Sequence, residues 1–235
     1  MNTPLILQPQ TVQAWCVDLV LTDQEYALAK SILSDEEWAR YHNKRPDLAR
    51  TAVASRYFLR TLLARYLDRP AHTIEFLYGD KGKPTIDPSF ELEFNVTHKD
   101  QKAVIVLSRK PVGVDLENNR PRDFVGLAKR YFAPQERDRF MKTSTDEQPD
   151  QFYRIWTQKE AFIKAHGKSV FSDLSRFTVD PQEPGGLLTW QDGEIRDWWC
   201  RCWRLTPEYW CAIMARAPIT HLTLQITLAG KPISL

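Results

Sequence analysis

The chain has 235 residues, 43% hydrophobic and 26% charged, a size and composition suited to one large or two small domains that bury roughly 70% of the unfolded surface without staples. Its 32 basic and 30 acidic residues leave a net charge of +2, too balanced for bulk nucleic-acid binding. No apolar run approaches the ~20 residues of a membrane helix, and the N-terminus carries no basic-then-apolar signal pattern.

Cys16, Cys200, Cys202 and Cys211 are too few and too clustered for a disulfide framework. They read as small buried hydrophobes of a reduced protein, and the expected compartment is the cytoplasm.

In chain order, residues 12–20 read as a first strand, and Thr22 and Asp23 as a polar helix start. Ser34-Asp35-Glu36-Glu37 has capping-box spacing and opens a helix that carries Arg40 and Lys44 and is stopped by Pro46. From Asp47 a long helix places Ala52, Ser55, Leu59, Leu62, Leu63 and Tyr66 on one face. Arg50, Arg56, Arg60 and Arg65 lie off that stripe, and Arg65 reads as a solvated arginine that keeps the helix soluble. A short strand over 74–78 leads into the turn-rich loop Gly79-Asp80-Lys81-Gly82-Lys83-Pro84. Residues 92–97 are extended and end in Thr97 and His98. The β-branched runs 103–107 and 112–116, around Ser108-Arg109-Lys110-Pro111, read as a hairpin at the midpoint.

The second half repeats this outline. Residues 124–132 are helical, and Pro134 suits the first turn of another helix. Residues 143–150 read as an exposed polar loop. From Gln151 a helix gathers Phe152, Ile155, Trp156, Phe162 and Ile163 on one face, with Gly167 as its stop. Segments 177–179, 198–205 and 210–215 alternate like strands, and 181–186 is a connecting loop.

Asp115 and Glu117 are two apart on a strand and so point to one face, where two carboxylates can approach one hard cation such as Mg²⁺. The ordinary alternative is a strand end passing into solvent. In the long second-half helix, Lys159 sits inside the apolar stripe and Glu160 at its edge, which favours a half-buried polar cleft over a snorkelling side chain. Lys164 is placed for an i,i+4 pair with Glu160. Lys83, Thr97, His98 and the arginines Arg40, Arg50 and Arg56 together suit a ligand with several phosphates. No Walker loop or dinucleotide fingerprint is present to bind phosphate another way.

Gly82-Lys83-Pro84, Phe94-Asn95-Val96-Thr97-His98, Gly113-Val114-Asp115-Leu116-Glu117 and Trp156-Thr157-Gln158-Lys159-Glu160-Ala161-Phe162-Ile163-Lys164 occur in one order and spacing. In these motifs the chain resembles the 4'-phosphopantetheinyl transferases of the surfactin-synthetase-activating (Sfp) type, over roughly residues 34–179. The resemblance implies an α/β (α+β) fold of two similar, pseudo-symmetric α+β halves, 1–110 and 111–235, with the active site in the cleft between them and a single chain sufficient. It implies an enzyme of the holo-[acyl-carrier-protein] synthase type that moves the phosphopantetheine arm of coenzyme A onto a serine of an acyl or peptidyl carrier protein and releases 3',5'-ADP.

By motif match, Asp115, Glu117 and Glu160 would hold Mg²⁺, Glu160 or a water would take the serine proton, and Lys164 would stabilise the departing diphosphate. Lys83, Thr97, His98 and Lys159 would contact coenzyme A, with Arg40, Arg50 and Thr51 helping. Thr97 stands where the family usually has serine, and Glu37 and Trp38 stand where an earlier basic residue is usual. The alternatives are a non-catalytic coenzyme A or carrier-binding module and another Mg²⁺-dependent diphosphate-cleaving enzyme.

Overall fold

The structure, a computed structural model, describes residues 4–79, 82–166, 174–179, 188–190, 193–195 and 197–227. The first half runs β1 (Thr11–Asp18), α1 (Asp23–Ile32), α2 (Asp35–His42), α3 (Pro46–Leu67), a two-residue hairpin β2 (Leu77–Tyr78) and β3 (Pro84–Thr85), then β4 (Glu93–Lys99) and β5 (Lys102–Ser108). The second runs β6 (Val112–Asn118), α4 (Phe124–Tyr131), α5 (Pro134–Met141) and α6 (Gln148–His166), the short strands β7 (Phe177–Thr178), β8 (Leu188–Trp190) and β9 (Gly193–Ile195), then β10 (Trp198–Thr206), β11 (Tyr209–Arg216) and β12 (His221–Thr227).

Each half therefore passes from a strand through two short helices and one long helix to an antiparallel pair. The strand orders correspond: β1-β5-β4 in one sheet, β6-β11-β10 in the other. The first sheet is completed by β12, which returns from the end of the chain to pair in parallel with β1.

Local chemistry accounts for the helix starts. Thr22 with Glu25 and Ser34 with Glu37 form reciprocal capping boxes, as the Ser34 spacing predicts. Pro46 does not stop a helix. α2 ends at His42, and Pro46 is the first residue of α3, where its missing N–H costs nothing. Segment 74–78 shrinks to a two-residue strand after a 3₁₀ turn at Ala71–Thr73. α6 begins three residues before Gln151, at the end of the expected loop. Gly167 and segment 181–186 lie outside the described residues.

The expected β5–β6 hairpin is not formed. β5 pairs antiparallel with β1 and β4, while β6 pairs with β11. Both strands are buried on both faces, so their pattern carries no register, and the short connection serves equally to pass from one sheet to the other.

Period-2 alternation sorts three cores. Trp15, Val17, Ile105 and Leu107 face α1 and α3. Val12, Ala14, Val104 and Val106 meet Val112, Val114, Leu116 and Ile213 between the two sheets. Ala212 and Met214 of β11 face Phe152, Trp156 and Phe162 of α6. The intervening residues of β6, Gly113, Asp115 and Glu117, are thereby turned toward α6. A Cβ on Gly113 would lie 2.2 Å from the Ala161 carbonyl oxygen and 2.3 Å from the Ala165 amide nitrogen, so strand and helix backbones touch only because this residue has no side chain.

Candidate active site

β4 pairs with β5 and packs against β6, and its alternation divides the work. Phe94 and Val96 pack toward α3, and His98 follows them into a cleft of about 540 Å³ that opens between α3 and β4. Asn95, Thr97 and Lys99 reach the other way. Asn95 Oδ1 accepts from the Val114 amide at 2.9 Å, Thr97 Oγ1 accepts from Lys164 Nζ at 3.3 Å, and Lys99 Nζ lies 2.7 Å from Glu117 Oε2.

Asp115 is buried, and Lys164 Nζ sits 2.6 Å from its Oδ1. Its Oδ2 is also buried and meets no donor. Glu160 lies 3.9 Å from the same ammonium. Burial, then the Asp115 carboxylate, pushes the Glu160 pKa up to about 8, with Glu117 adding to the repulsion and Lys164 opposing it. Burial acts to lower the Lys164 pKa, but Asp115 and Glu160 outweigh it and raise it. Lys164 therefore stays a cation.

A divalent cation fits this surplus of negative charge. The donors are carboxylate oxygens, one of them buried without a partner, and Glu160 resists ionising beside it. Asp115 and Glu160 converge, whereas Glu117 is engaged by Lys99 and, at 2.8 Å, by Arg122. Among the described residues no three His, Cys, Asp or Glu side chains are gathered as a closed metal-binding set.

The cleft beside the carboxylates is lined by Tyr41, Lys44, Thr51, Arg56, His98 and Lys99 among others, all from the first half. Its ionisable lining is mostly basic, Lys44, Arg56, His98 and Lys99 against Asp100. Arg56 is buried with its Nη1 unpartnered, and desolvation followed by Lys164, Lys44 and Lys99 lowers the His98 pKa. Arg56 and Arg60 are both buried beside Glu37 of the capping box: Arg60 Nε donates to Oε2 at 2.8 Å, and Arg56 Nε lies 3.3 Å from Oε1 while donating to the Tyr41 hydroxyl. Lys44 and Lys99 were not among the expected ligand contacts. Lys44 lies past the end of α2, and nothing local marks it, although Lys99 adjoins the Thr97-His98 motif.

The other expected contacts divide. Thr51 lines the cleft, its hydroxyl donating to the Asp47 carbonyl. Arg50 turns to Asp23 and the Leu21 carbonyl, and Arg40 stacks over the Tyr78 ring at 4.7 Å beside a different groove. Lys83 Nζ reaches the Val112 carbonyl at 3.4 Å, and burial lowers its pKa.

Lys159 is a correction. It does not face a polar cleft: its side chain is fully buried, with Nζ 2.6 Å from Glu136 Oε2 and also donating to the Phe177 carbonyl. The partner that makes a charge tolerable in the apolar stripe comes from α5. The cysteines are free, with Cys16, Cys200 and Cys211 buried as expected. No helix among the described residues is long and apolar enough to cross a membrane.

A family model described as the 4'-phosphopantetheinyl transferase superfamily matches residues 111–214, and one described as 4'-phosphopantetheinyl transferase, N-terminal, matches residues 21–110. The chain is similar to the 4'-phosphopantetheinyl transferase Sfp of Bacillus subtilis, 27% identical over 86% of this chain and 90% of that protein. A second Bacillus subtilis 4'-phosphopantetheinyl transferase is 30% identical over 78% of this chain and 80% of its own length. The 4'-phosphopantetheinyl transferase HetI of Nostoc is 32% identical, over 79% and 81% respectively.

Proposed function

This chain belongs to the 4'-phosphopantetheinyl transferase superfamily, and we propose that it transfers the phosphopantetheine arm of coenzyme A to a serine of an acyl or peptidyl carrier protein, as a holo-[acyl-carrier-protein] synthase. The observation that carries the reading is the meeting of Asp115, Glu160 and Lys164 where β6 touches α6, directly beside a cationic cleft. All three carboxylates of the motif are present, which favours catalysis over a binding module.

In this reading the cleft residues Lys44, Arg56, His98 and Lys99 take phosphate groups of coenzyme A, with Thr51 and Thr97 offering hydroxyls. Asp115, Glu160 and Glu117 would hold Mg²⁺, which when bound supplies charge neutralisation at the diphosphate. The serine oxygen forms a bond to the phosphorus that carries the pantetheine arm, and the bond from that phosphorus to the bridging oxygen breaks. The leaving 3',5'-ADP takes the bond electrons. Lys164, cationic and between Asp115 and Thr97, is placed to stabilise that charge. Glu160, or a water that these carboxylates orient, accepts the serine proton. The protein acts as a monomer in the cytoplasm.

The test is to incubate the chain with coenzyme A, Mg²⁺ and apo carrier proteins of several kinds and weigh the carriers by mass spectrometry. Addition of the arm is expected. Carriers left unmodified, with or without cleavage of coenzyme A, would sink the proposal.

A further inference from the structure

Glu117 is the carboxylate that stands apart. Lys99, at the end of β4, and Arg122, on the connection from β6 to α4, approach the same oxygen, Oε2, at 2.7 and 2.8 Å. Glu117 is 8% exposed, so these pairs are partly shielded from water. Arg122 also lies over the Tyr153 ring at 5.5 Å, and the Tyr153 hydroxyl donates to the Arg120 carbonyl, which steadies the connection that presents Arg122. Lys164 deals with Asp115 at the other end of the cluster.

We infer that Arg122 and Lys99, both paired with Glu117 through Oε2, compete with a divalent cation for this third carboxylate, and that this competition lowers the metal affinity of the site. The inference rests on the reading of Asp115, Glu117 and Glu160 as the metal carboxylates. Competition follows from charge and geometry. Two donors already draw on Oε2, so the carboxylate offers a cation less negative charge whichever oxygen coordinates, and a guanidinium a few ångströms away repels a dication. Arg122 is a positioning residue in this scheme. It does not line the cleft, which separates its effect from phosphate binding, whereas Lys99 lines the cleft as well.

The experiment titrates the chain, without coenzyme A, with Mn²⁺ and follows the free ion by electron paramagnetic resonance. Arg122→Gln is expected to tighten Mn²⁺ binding by about two- to five-fold, the upper part of the range for an exposed ion pair. Arg122→Lys, which keeps the charge, is expected to stay within about two-fold of the native chain. Glu117→Gln should weaken binding, and in that background Arg122→Gln should lose its effect. Arg120→Gln, at an exposed arginine paired with Asp100, serves as the control and should change nothing.

Unchanged or weaker binding in Arg122→Gln, with Glu117→Gln still weakening it, would overturn the inference alone. Equal tightening in both backgrounds would reduce it to a general charge effect and overturn it too. Mn²⁺ binding indifferent to both Glu117→Gln and Asp115→Ala would remove the carboxylate reading and the inference together.

Discussion

Lys159 of α6 and Glu136 of α5 form a fully buried ion pair, with Nζ 2.6 Å from Oε2. Glu136 also accepts from the Ala133 amide at 2.9 Å and, through Oε1, from the Val179 amide at 2.7 Å. One carboxylate thus ties together α5, α6 and the segment around β7. Burial raises the Glu136 pKa and lowers that of Lys159, each against the attraction of its partner, so neither charge is stable there without the other. Lys159→Met strands a buried carboxylate and is expected to destabilise the fold by about 3–5 kcal/mol. Adding Glu136→Gln should recover a large part of the loss. Urea unfolding of the two variants measures this, and equal stability of Lys159→Met and the native chain would contradict the pairing.

Gly113 holds β6 against α6. Its backbone has no positive φ, so the requirement for glycine is steric. Gly113→Ala places a methyl group onto the Ala161 and Ala165 backbone and is expected to cost about 3 kcal/mol or more. It should also move Glu160 and Lys164 away from Asp115, so transfer activity should fall further than stability does. Native thermal unfolding together with native turnover would show that the strand and helix are not in contact.

Asn95 supplies the acceptor for the Val114 amide, one residue before Asp115. Asn95→Leu keeps the size and leaves a buried N–H unsatisfied, a loss of about 1–3 kcal/mol. Hydrogen exchange at Val114 should accelerate by more than at Cys200, which pairs with Met214 on the far side of the sheet. Uniform acceleration, or none, would count against a local role.

At the carboxylates themselves, Asp115→Ala and Glu160→Gln should nearly abolish transfer to a carrier while circular dichroism remains native. Removal of divalent cations with a chelator should act in the same direction. Native rates in either variant would mean that the chemistry is elsewhere.

The cations around His98 set its titration. Desolvation first, then Lys164, Lys44 and Lys99, lowers its pKa, so the folded protein takes up this proton at lower pH than the unfolded chain does. Between those two values the unfolded state binds more protons, and His98 stability is lost as pH falls through the ordinary histidine range. Its NMR titration midpoint should lie below that of a free histidine and rise in Lys44→Gln or when pyrophosphate enters the cleft. A midpoint insensitive to both would place His98 away from the anion site.

Much of this was readable along the chain because its physical cause is local. The Ser34–Glu37 box needs only residues three apart, α3 and α6 announce themselves by 3.6-residue periodicity, and the i,i+2 spacing of Asp115 and Glu117 sets them on one face. The motif order further pointed to the family. Pro46 shows the limit even of local signals, since the same residue ends one helix pattern and begins another.

The sequence by itself determined the long helices α3 and α6, the shared face of Asp115 and Glu117, and the placing of Lys159 in an apolar stripe. Only the tertiary structure decided their partners. Lys159 finds Glu136 across 23 positions, Arg56 and Arg60 find Glu37, and β6 leaves β5 for β11. It also showed that β4 serves both halves, with His98 in the cleft while Thr97 and Lys99 meet Lys164 and Glu117. The reason is that desolvation and Coulomb energies depend on distance in space, and a charge in an apolar stripe states its need for a partner without naming it.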